Sequence, residues 1–188
     1  MTIVQNTIRT LDLQTLVEST TITGLPSFSN FIGTSYKGKV YYTQATNNVV
    51  VVDAKTLTFS LLALNVGETS VSVAVNVVDD YVLVAGMTSS TMYTIHPTLG
   101  TILSKVPLPG GGQIEFYLAF NPFSGVLYTS TMASPATIQV RHPRTFAVIA
   151  SLTTCTGCGG HLSYFAPANM IMSSDATGFQ KISETRSS

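Results

Sequence analysis

The feature that most constrains this chain is a pattern that returns about every 42 residues. One copy, from Val49 to Phe59, reads as a β-branched run, a polar turn and a second apolar run, which is typical of a β-hairpin. The pattern recurs at residues 7–17, 92–102 and 138–148. The first turn residues of the successive copies are Asp12, Asp53, His96, His142 and Ser183, which lie 41, 43, 46 and 41 positions apart. Such a period predicts stacked copies of one supersecondary unit.

Further strands are predicted ahead of the hairpins, each after a turn signal rich in Gly, Pro, Asn or Asp. The second strand of a repeat is predicted at 40–43, 81–85, 126–129 and 170–173. An apolar first strand is clearest at 71–78, 114–120 and 162–165. Helical periodicity is not sustained over any useful length, so the sequence predicts an all-β chain.

Four short strands in each repeat of about 42 residues are typical of the four-stranded antiparallel blades of a β-propeller. The chain resembles the Tyr-Val-Thr-Asn repeat family of β-propellers, because 41–44 and 127–130 read like its second strand and 49–56 like its third. The resemblance implies an architecture rather than a chemistry. We therefore expect one β-propeller-like domain over residues 1–188, with about four blades.

The number of blades stays open at this point. About 17 strands are predicted, and 16 would close a four-bladed ring in which the N-terminal strands complete the C-terminal blade. An incomplete arc would leave sheet edges exposed and favour pairing with another chain. The alternatives are a closed four-bladed ring, a fragment of a larger propeller, and a half-ring that dimerises.

The composition limits the classes of partner that the chain is expected to bind. Nine Lys and Arg balance nine Asp and Glu, and charged residues make up 10% of the chain. The sequence has no acidic or basic tail, so a nucleic-acid partner is disfavoured. The longest nearly apolar run, Leu57–Val66, is too short to span a bilayer. No signal peptide is visible at the N-terminus. Low charge with many Ser and Thr would suit an extracellular or virion surface, although a cytosolic protein could share both traits.

The sharpest local motif is Cys155-x-x-Cys158-x-x-His161, in a predicted loop between blades. Two thiolates and an imidazole can bind zinc, but a structural site needs a fourth ligand and the chain has no other Cys. Free thiols or a local disulfide are the leading interpretation. Redox sensitivity and a metal shared with a partner are the alternatives.

Other polar motifs are predicted to be structural. The His96-Pro97 and His142-Pro143 pairs occupy the turn position that Asp12 and Asp53 hold in other repeats. Three consecutive glycines, residues 110–112, lack the Lys and the following helix that a phosphate loop requires. Most of the tyrosines fall in predicted strands and are expected to pack between blades.

Catalysis would require acidic residues that converge on the central channel, where the first strands meet. Glu115 is the one obvious acid predicted there, since Glu68 lies in an adjoining loop and Asp79 and Asp80 in a turn on the opposite face. No Gly-x-Ser-x-Gly nucleophile turn is present. The sequence therefore favours a non-enzymatic protein-interaction or surface-structural module without a cofactor, which binds a protein partner or itself. A small lactonase-like hydrolase and a fragment of a larger propeller are the alternatives.

Overall fold

The structure is a computed structural model that describes residues 7–11, 14–15, 18–25, 33–43, 46–108, 115–131, 137–153, 162–175 and 178–182. Seventeen strands lie in these ranges. They are β1 Ile8–Leu11, β2 Glu18–Ile22, β3 Gly33–Tyr36, β4 Lys39–Thr43, β5 Asn48–Asp53, β6 Thr58–Ala63, β7 Ser70–Asn76, β8 Tyr81–Gly86, β9 Thr91–Ile95, β10 Ile102–Pro107, β11 Glu115–Asn121, β12 Val126–Thr131, β13 Thr137–Arg141, β14 Val148–Thr153, β15 Leu162–Phe165, β16 Met170–Asp175 and β17 Gly178–Ile182. One 3-10 turn, Ala166–Ala168, joins β15 to β16.

The strands form separate antiparallel meanders, as the repeat predicts. Three sheets have four strands each, β3–β6, β7–β10 and β11–β14, and we call them blades B, C and D. Sheet A is the N-terminal hairpin formed by β1 and β2, and blade E contains β15–β17. The prediction of an all-β chain of four-stranded antiparallel blades is confirmed.

Positive-φ residues close the tight turns that link these strands. Gly38, Gly100 and Gly125 have φ values of 72°, 67° and 68°, which residues with a Cβ rarely adopt. Each lies at a turn that the sequence marked. The first strand of blade B was counted among the predicted strands but not located, because Gly33–Tyr36 carries a single large apolar residue and alternates between exposed and half-buried positions.

The core lies between blades rather than inside one sheet. Tyr41, Val51 and Val73 are among the residues that pack blade B against blade C. Leu83, Leu118 and Phe146 belong to the cluster between blades C and D. A third cluster, which includes Tyr128 and Ile171, joins D to E. Four of the predicted strand tyrosines are buried, which confirms their packing role; they are Tyr41, Tyr42, Tyr93 and Tyr128.

The N-terminal hairpin packs on blade B. Ile22 and Leu25 are buried against Tyr42, Val50 and Val52. Within the described ranges, no ladder joins β1 or β2 to the strands of blade E. Completion of the C-terminal blade by the N-terminal strands, as in the closed-ring alternative, is therefore not the arrangement of these residues. None of the described residues forms a helix long and apolar enough to cross a membrane.

Candidate functional site

The first strands of blades B to E enclose a central cavity of about 280 Å3. Its lining is Gly33, Thr34, Val73, Ala74, Val75, Leu118, Ala119, Phe120, Leu162, Ser163 and Tyr164. The polar side chains among them are the hydroxyl groups of Thr34, Ser163 and Tyr164, and none of these described lining residues is charged. The described part of the wall therefore offers apolar surface and hydroxyl groups, without a carboxylate or imidazole for acid–base work.

The residues predicted for chemistry fall largely outside the described part. Glu115 begins β11, where its backbone pairs with Thr131, but its side chain is not among the described ones. Cys155, Cys158 and His161 lie outside the described residues, as do the three glycines at 110–112. Within the described ranges, no three residues of the types His, Cys, Asp and Glu cluster as a metal site would require. The metal and channel hypotheses therefore remain predictions.

One acid in the described part is buried. Glu68, in the loop between β6 and β7, is 4% exposed. Its Oε1 accepts hydrogen bonds from the backbone N–H groups of Thr69 at 3.1 Å, Thr88 at 2.8 Å and Ser89 at 3.3 Å. Its Oε2 accepts one hydrogen bond from the hydroxyl group of Ser89 and another, at 3.1 Å, from the hydroxyl group of Tyr93. The carboxylate thus joins the β6–β7 loop to the β8–β9 turn.

The electrostatics of Glu68 agree with a structural role. Burial alone would raise the pKa of its carboxyl group, but the hydrogen bonds from Ser89, Thr69 and Thr88 outweigh burial and lower the pKa. Gly86 makes room for the group, since a Cβ at this position would lie 2.6 Å from the Glu68 Cδ. The carboxylate therefore accepts five hydrogen bonds, which hold the β6–β7 loop against the β8–β9 turn. We call this set of contacts the Glu68 latch. Sequence reasoning missed this role because the donors lie up to 25 residues away.

The opposite end of the propeller carries the connections between first and second strands and between third and fourth strands. We call this end the turn face. The His-Pro pairs lie here, and their predicted structural role is confirmed. Nδ1 of His96 accepts hydrogen bonds from the backbone N–H groups of Thr98 and Leu99, both at 3.2 Å. Nδ1 of His142 accepts the equivalent hydrogen bonds from the N–H groups of Arg144 and Thr145, each at 3.3 Å.

Asp53 performs the same task in blade B. Its Oδ1 accepts the N–H groups of Lys55 and Thr56, both at 2.9 Å. These hydrogen bonds lower the pKa of the Asp53 carboxyl group. The equivalence of Asp and His in the repeat therefore has a physical basis, because both offer an acceptor to the same pair of turn amides.

Charged side chains on the turn face pair between neighbouring blades. Lys37 contacts Asp80 at 2.5 Å, which links blade B to blade C. Arg144 Nε donates to Asp79 at 2.9 Å, which links blade D to blade C. These bonds lower the pKa values of both aspartates. The prediction that Asp79 and Asp80 are structural turn residues is confirmed.

Tyrosine hydroxyl groups add a second kind of link between blades. Tyr41 of blade B donates to the carbonyl oxygen of Pro97 in blade C. Tyr81 of blade C donates to Pro143 of blade D at 2.7 Å. Burial raises the pKa of Tyr41 to about 12, so this hydroxyl stays a donor. Each His-Pro turn thus receives a tyrosine from the preceding blade.

Apolar side chains project from the turn face into solvent. Val78 and Phe123 occupy equivalent turn positions, and Phe123 is 68% exposed. Asn76 Oδ1 accepts the N–H of Val78 at 3.0 Å, and Asn121 Oδ1 accepts that of Phe123 at 2.9 Å. Val77, Leu99 and Phe165 are also exposed on this face. Val78 and Phe123 were not singled out from the sequence, although each is an apolar residue two positions after a strand-ending Asn.

A groove runs between blades C and D at this face. It has a volume of about 350 Å3 and is lined by Val78, Asp79, Ser124, Gly125, Val126, His142, Pro143, Arg144 and Ile149. Val78 and Ile149 are 59% and 58% exposed. The face therefore combines rigid turns, apolar tips and a groove, an arrangement suited to contact with another surface.

No protein-family model matches the chain, and no curated protein matches its sequence. Solved structures do match its fold. A chain of the nidogen/laminin complex superposes with a TM-score of 0.71 and 13% identity, over 95% of this chain and 71% of that one. Kuenenia stuttgartiensis hydrazine synthase matches with a TM-score of 0.69 and 10% identity, over 94% of this chain and 55% of that one.

A chain of the mitotic checkpoint complex matches with a TM-score of 0.63 and 17% identity, over 81% of this chain and 46% of that one. The present chain thus spans about half the length of the latter two neighbours. Identities this low concern the fold alone. The neighbours are β-propellers of the WD40 and YWTD types, and no family model extends the resemblance to the Tyr-Val-Thr-Asn repeat family. By its fold, the chain is an all-β, β-propeller-like protein, and three of its described sheets are four-stranded antiparallel blades.

Proposed function

We propose that this chain is a non-enzymatic protein-interaction module that binds a protein partner through its turn face. The observation that carries the proposal is the exposure of Phe123 and Leu99, 68% and 70%, at the tips of well-braced turns. Large side chains that are costly to leave in water mark contact surfaces. The proposal includes a structural role at a surface, which the low charge of the sequence suggested, because such a role also depends on contacts with other proteins.

The bracing of the turns supports binding. The amide of Phe123 is held by Asn121, and that of Leu99 by His96. A side chain on an ordered turn loses less conformational entropy when it docks than one on a loose loop. Aromatic and large aliphatic anchors of this kind supply much of the affinity of protein interfaces.

The charges of the face support an apolar mode of recognition. Lys37 is paired with Asp80, and Arg144 with Asp79. Such pairs would have to be broken before either cation could bind an acidic partner. Because two cations of this face are already paired, we expect the partner to present an apolar patch near Val78 and Phe123. Two of the structural neighbours named above come from protein complexes, the mitotic checkpoint complex and the nidogen/laminin complex.

The test compares two surface changes of similar kind. Val78→Ser with Phe123→Ser alters the turn face, whereas Val66→Ser alters a 99% exposed valine at the opposite end of the propeller. Partners captured by the unaltered chain are purified, and their affinities for each variant are measured by titration. We expect the double variant to weaken binding at least about 30-fold, the effect of losing about 2 kcal/mol at an anchor. We expect Val66→Ser to bind like the unaltered chain.

The opposite pattern would overturn the proposal. If every captured partner binds the Val78 and Phe123 variant normally, the turn face is not the docking surface. Circular dichroism of each variant separates loss of binding from loss of fold.

A further inference from the structure

The three complete blades differ in how they protect their outer edges. The outer strands are β6, β10 and β14, and each pairs with one neighbour in the described part of the chain. Unpaired strand edges invite pairing with another chain, and proteins usually blunt them with bulges, charges or proline.

Strands β10 and β14 are blunted. The register of β10 shifts between Ile102 and Ser104, so Leu103 is an extra residue in a bulge. β10 also carries Lys105 and Pro107. In β14 the register shifts at Ile149. Bulges twist an edge away from a straight partner strand and interrupt its hydrogen bonds.

Strand β6 has none of these features. Its six residues pair with β5 in unbroken register, from Asp53 opposite Thr58 to Asn48 opposite Ala63. Its sequence, Thr-Phe-Ser-Leu-Leu-Ala, contains no charge and no proline. All of its residues except the half-buried Leu62 are exposed. A straight, neutral and partly apolar edge of this kind is a template for a further strand.

We propose that β6 pairs antiparallel with β6 of a second copy of the chain, which joins two blades into one eight-stranded sheet. This inference is independent of the turn-face proposal, because β6 lies on the outer edge of blade B. The occupant follows from the self-complementarity of the strand. When the two-fold axis passes through Ser60, each Phe59 stands opposite Leu61 of the second copy, and a small side chain lies on the axis.

The side chains of this pairing suit one another. Phe59 and Leu61 lie on one face of the sheet, because side chains two positions apart point the same way. They are 36% and 49% exposed, so pairing buries apolar surface from both copies. An aromatic opposite an aliphatic residue is a favourable cross-strand pair. No charged residue occurs from Leu57 to Val66, so two copies bring no like charges together along the edge.

Space on this face also permits the pairing. Phe59 lines a groove with Ile22, Thr23, Leu57 and Thr58, whose volume is about 430 Å3. The space beside Phe59 is therefore open and is lined by both apolar and hydroxyl-bearing side chains. Six paired residues form an interface smaller than the roughly 1,200 Å2 of stable complexes, so the association should be weak and concentration-dependent.

Sedimentation equilibrium between about 5 and 500 μM tests the proposal, a range chosen because small interfaces bind weakly. The unaltered chain should shift from monomer toward dimer over this range. Leu61→Lys places a charge on the edge and should raise the dissociation constant at least about tenfold. Leu103→Lys is the matched control, since this leucine is similarly exposed on the bulged strand β10, and it should leave the dissociation constant unchanged. A monomer at every concentration, or equal effects of the two lysines, would overturn the proposal.

A cross-linking experiment checks the register and does not rely on a charged variant. In a chain with Cys155→Ser and Cys158→Ser, Ser60→Cys should form a disulfide-linked dimer under mild oxidation, because the two residues face each other across the axis. Thr58→Cys should not, because it stands opposite Leu62 of the second copy. Equal cross-linking of both variants, or of neither, would contradict this pairing.

Discussion

The Glu68 latch makes a prediction that can be worked out from its contacts. Glu68→Ala removes the acceptor of the buried Tyr93 hydroxyl and of three backbone amides. Thr88 and Ser89 are exposed, so water can replace the acceptor of their amides. Tyr93 is fully buried, and its hydroxyl would lose its charged acceptor. We expect the free energy of unfolding to fall by about 3 kcal/mol, from hydrogen bonds to a charged group worth about 1.5–3 kcal/mol each before water compensates.

Gly86 supplies a matched perturbation of the same contact. A Cβ there would approach both carboxylate oxygens of Glu68, at 2.7 and 2.9 Å, so Gly86→Ala displaces the carboxylate and should cost about as much as Glu68→Ala. With Glu68 already removed, the added methyl group meets no carboxylate. The double variant should therefore lose clearly less than the sum of the two single losses, by about 2 kcal/mol, within the range seen for contacting residues.

Urea unfolding followed by circular dichroism measures these differences, and a loss of about 3 kcal/mol should lower the melting temperature by about 6–12 °C in a chain of this size. The lowered pKa of Glu68 adds a pH test. The latch contributes stability above the ordinary pKa of glutamate, near 4.3, and this contribution declines as the pH falls toward the lowered value in the folded state. Glu68→Gln should flatten that acid slope. A loss under about 1 kcal/mol for Glu68→Ala, or strict additivity with Gly86→Ala, would refute the latch.

Two further predictions concern the turn face. His96→Asp should keep the free energy of unfolding within about 0.5 kcal/mol of the unaltered chain, because Asp53 accepts hydrogen bonds from the equivalent amides in blade B. His96→Ala removes the acceptor and should lower the free energy of unfolding by about 1 kcal/mol. Equal losses for the two variants in urea unfolding would contradict the role of His96 as a turn acceptor. Tyr81→Phe removes the hydroxyl that reaches Pro143 and should cost about 1 kcal/mol. Tyr164→Phe is its control, since that hydroxyl makes a long 3.4 Å contact to Asn169, and thermal melting should separate the two.

Much of the fold could be predicted from the sequence, because the signals are local. β-branched runs such as Val49–Val52 and turn residues such as Asn121 act over a few positions, and a regular period then implies stacked sheets. β3 was expected as the first strand of a full blade but could not be located, because its four residues contain little apolar surface. Predicted boundaries were otherwise close, as when the apolar stretch at 71–78 proved to be β7 followed by a turn.

The candidate sites were less predictable, because their contacts are formed by residues distant in sequence. Glu68 looked like a loop acid until its donors in the β8–β9 turn were placed beside it. The apolar composition of the Leu57–Val66 run does not show whether it forms an interior strand or an outer edge. The exposure of β6 depends on its position in the sheet order, which only the assembled blade reveals.

The links between tyrosines and proline carbonyls have a consequence for how the protein loses its structure. Tyr41 ties blade B to blade C, and Tyr81 ties blade C to blade D, so blade C has such a link on both sides. In an array with nearest-neighbour coupling, the interior unit is the last to open and the terminal units fray first. Amide hydrogen exchange should therefore be slowest in the middle of the chain and should quicken toward the N-terminal hairpin and blade E.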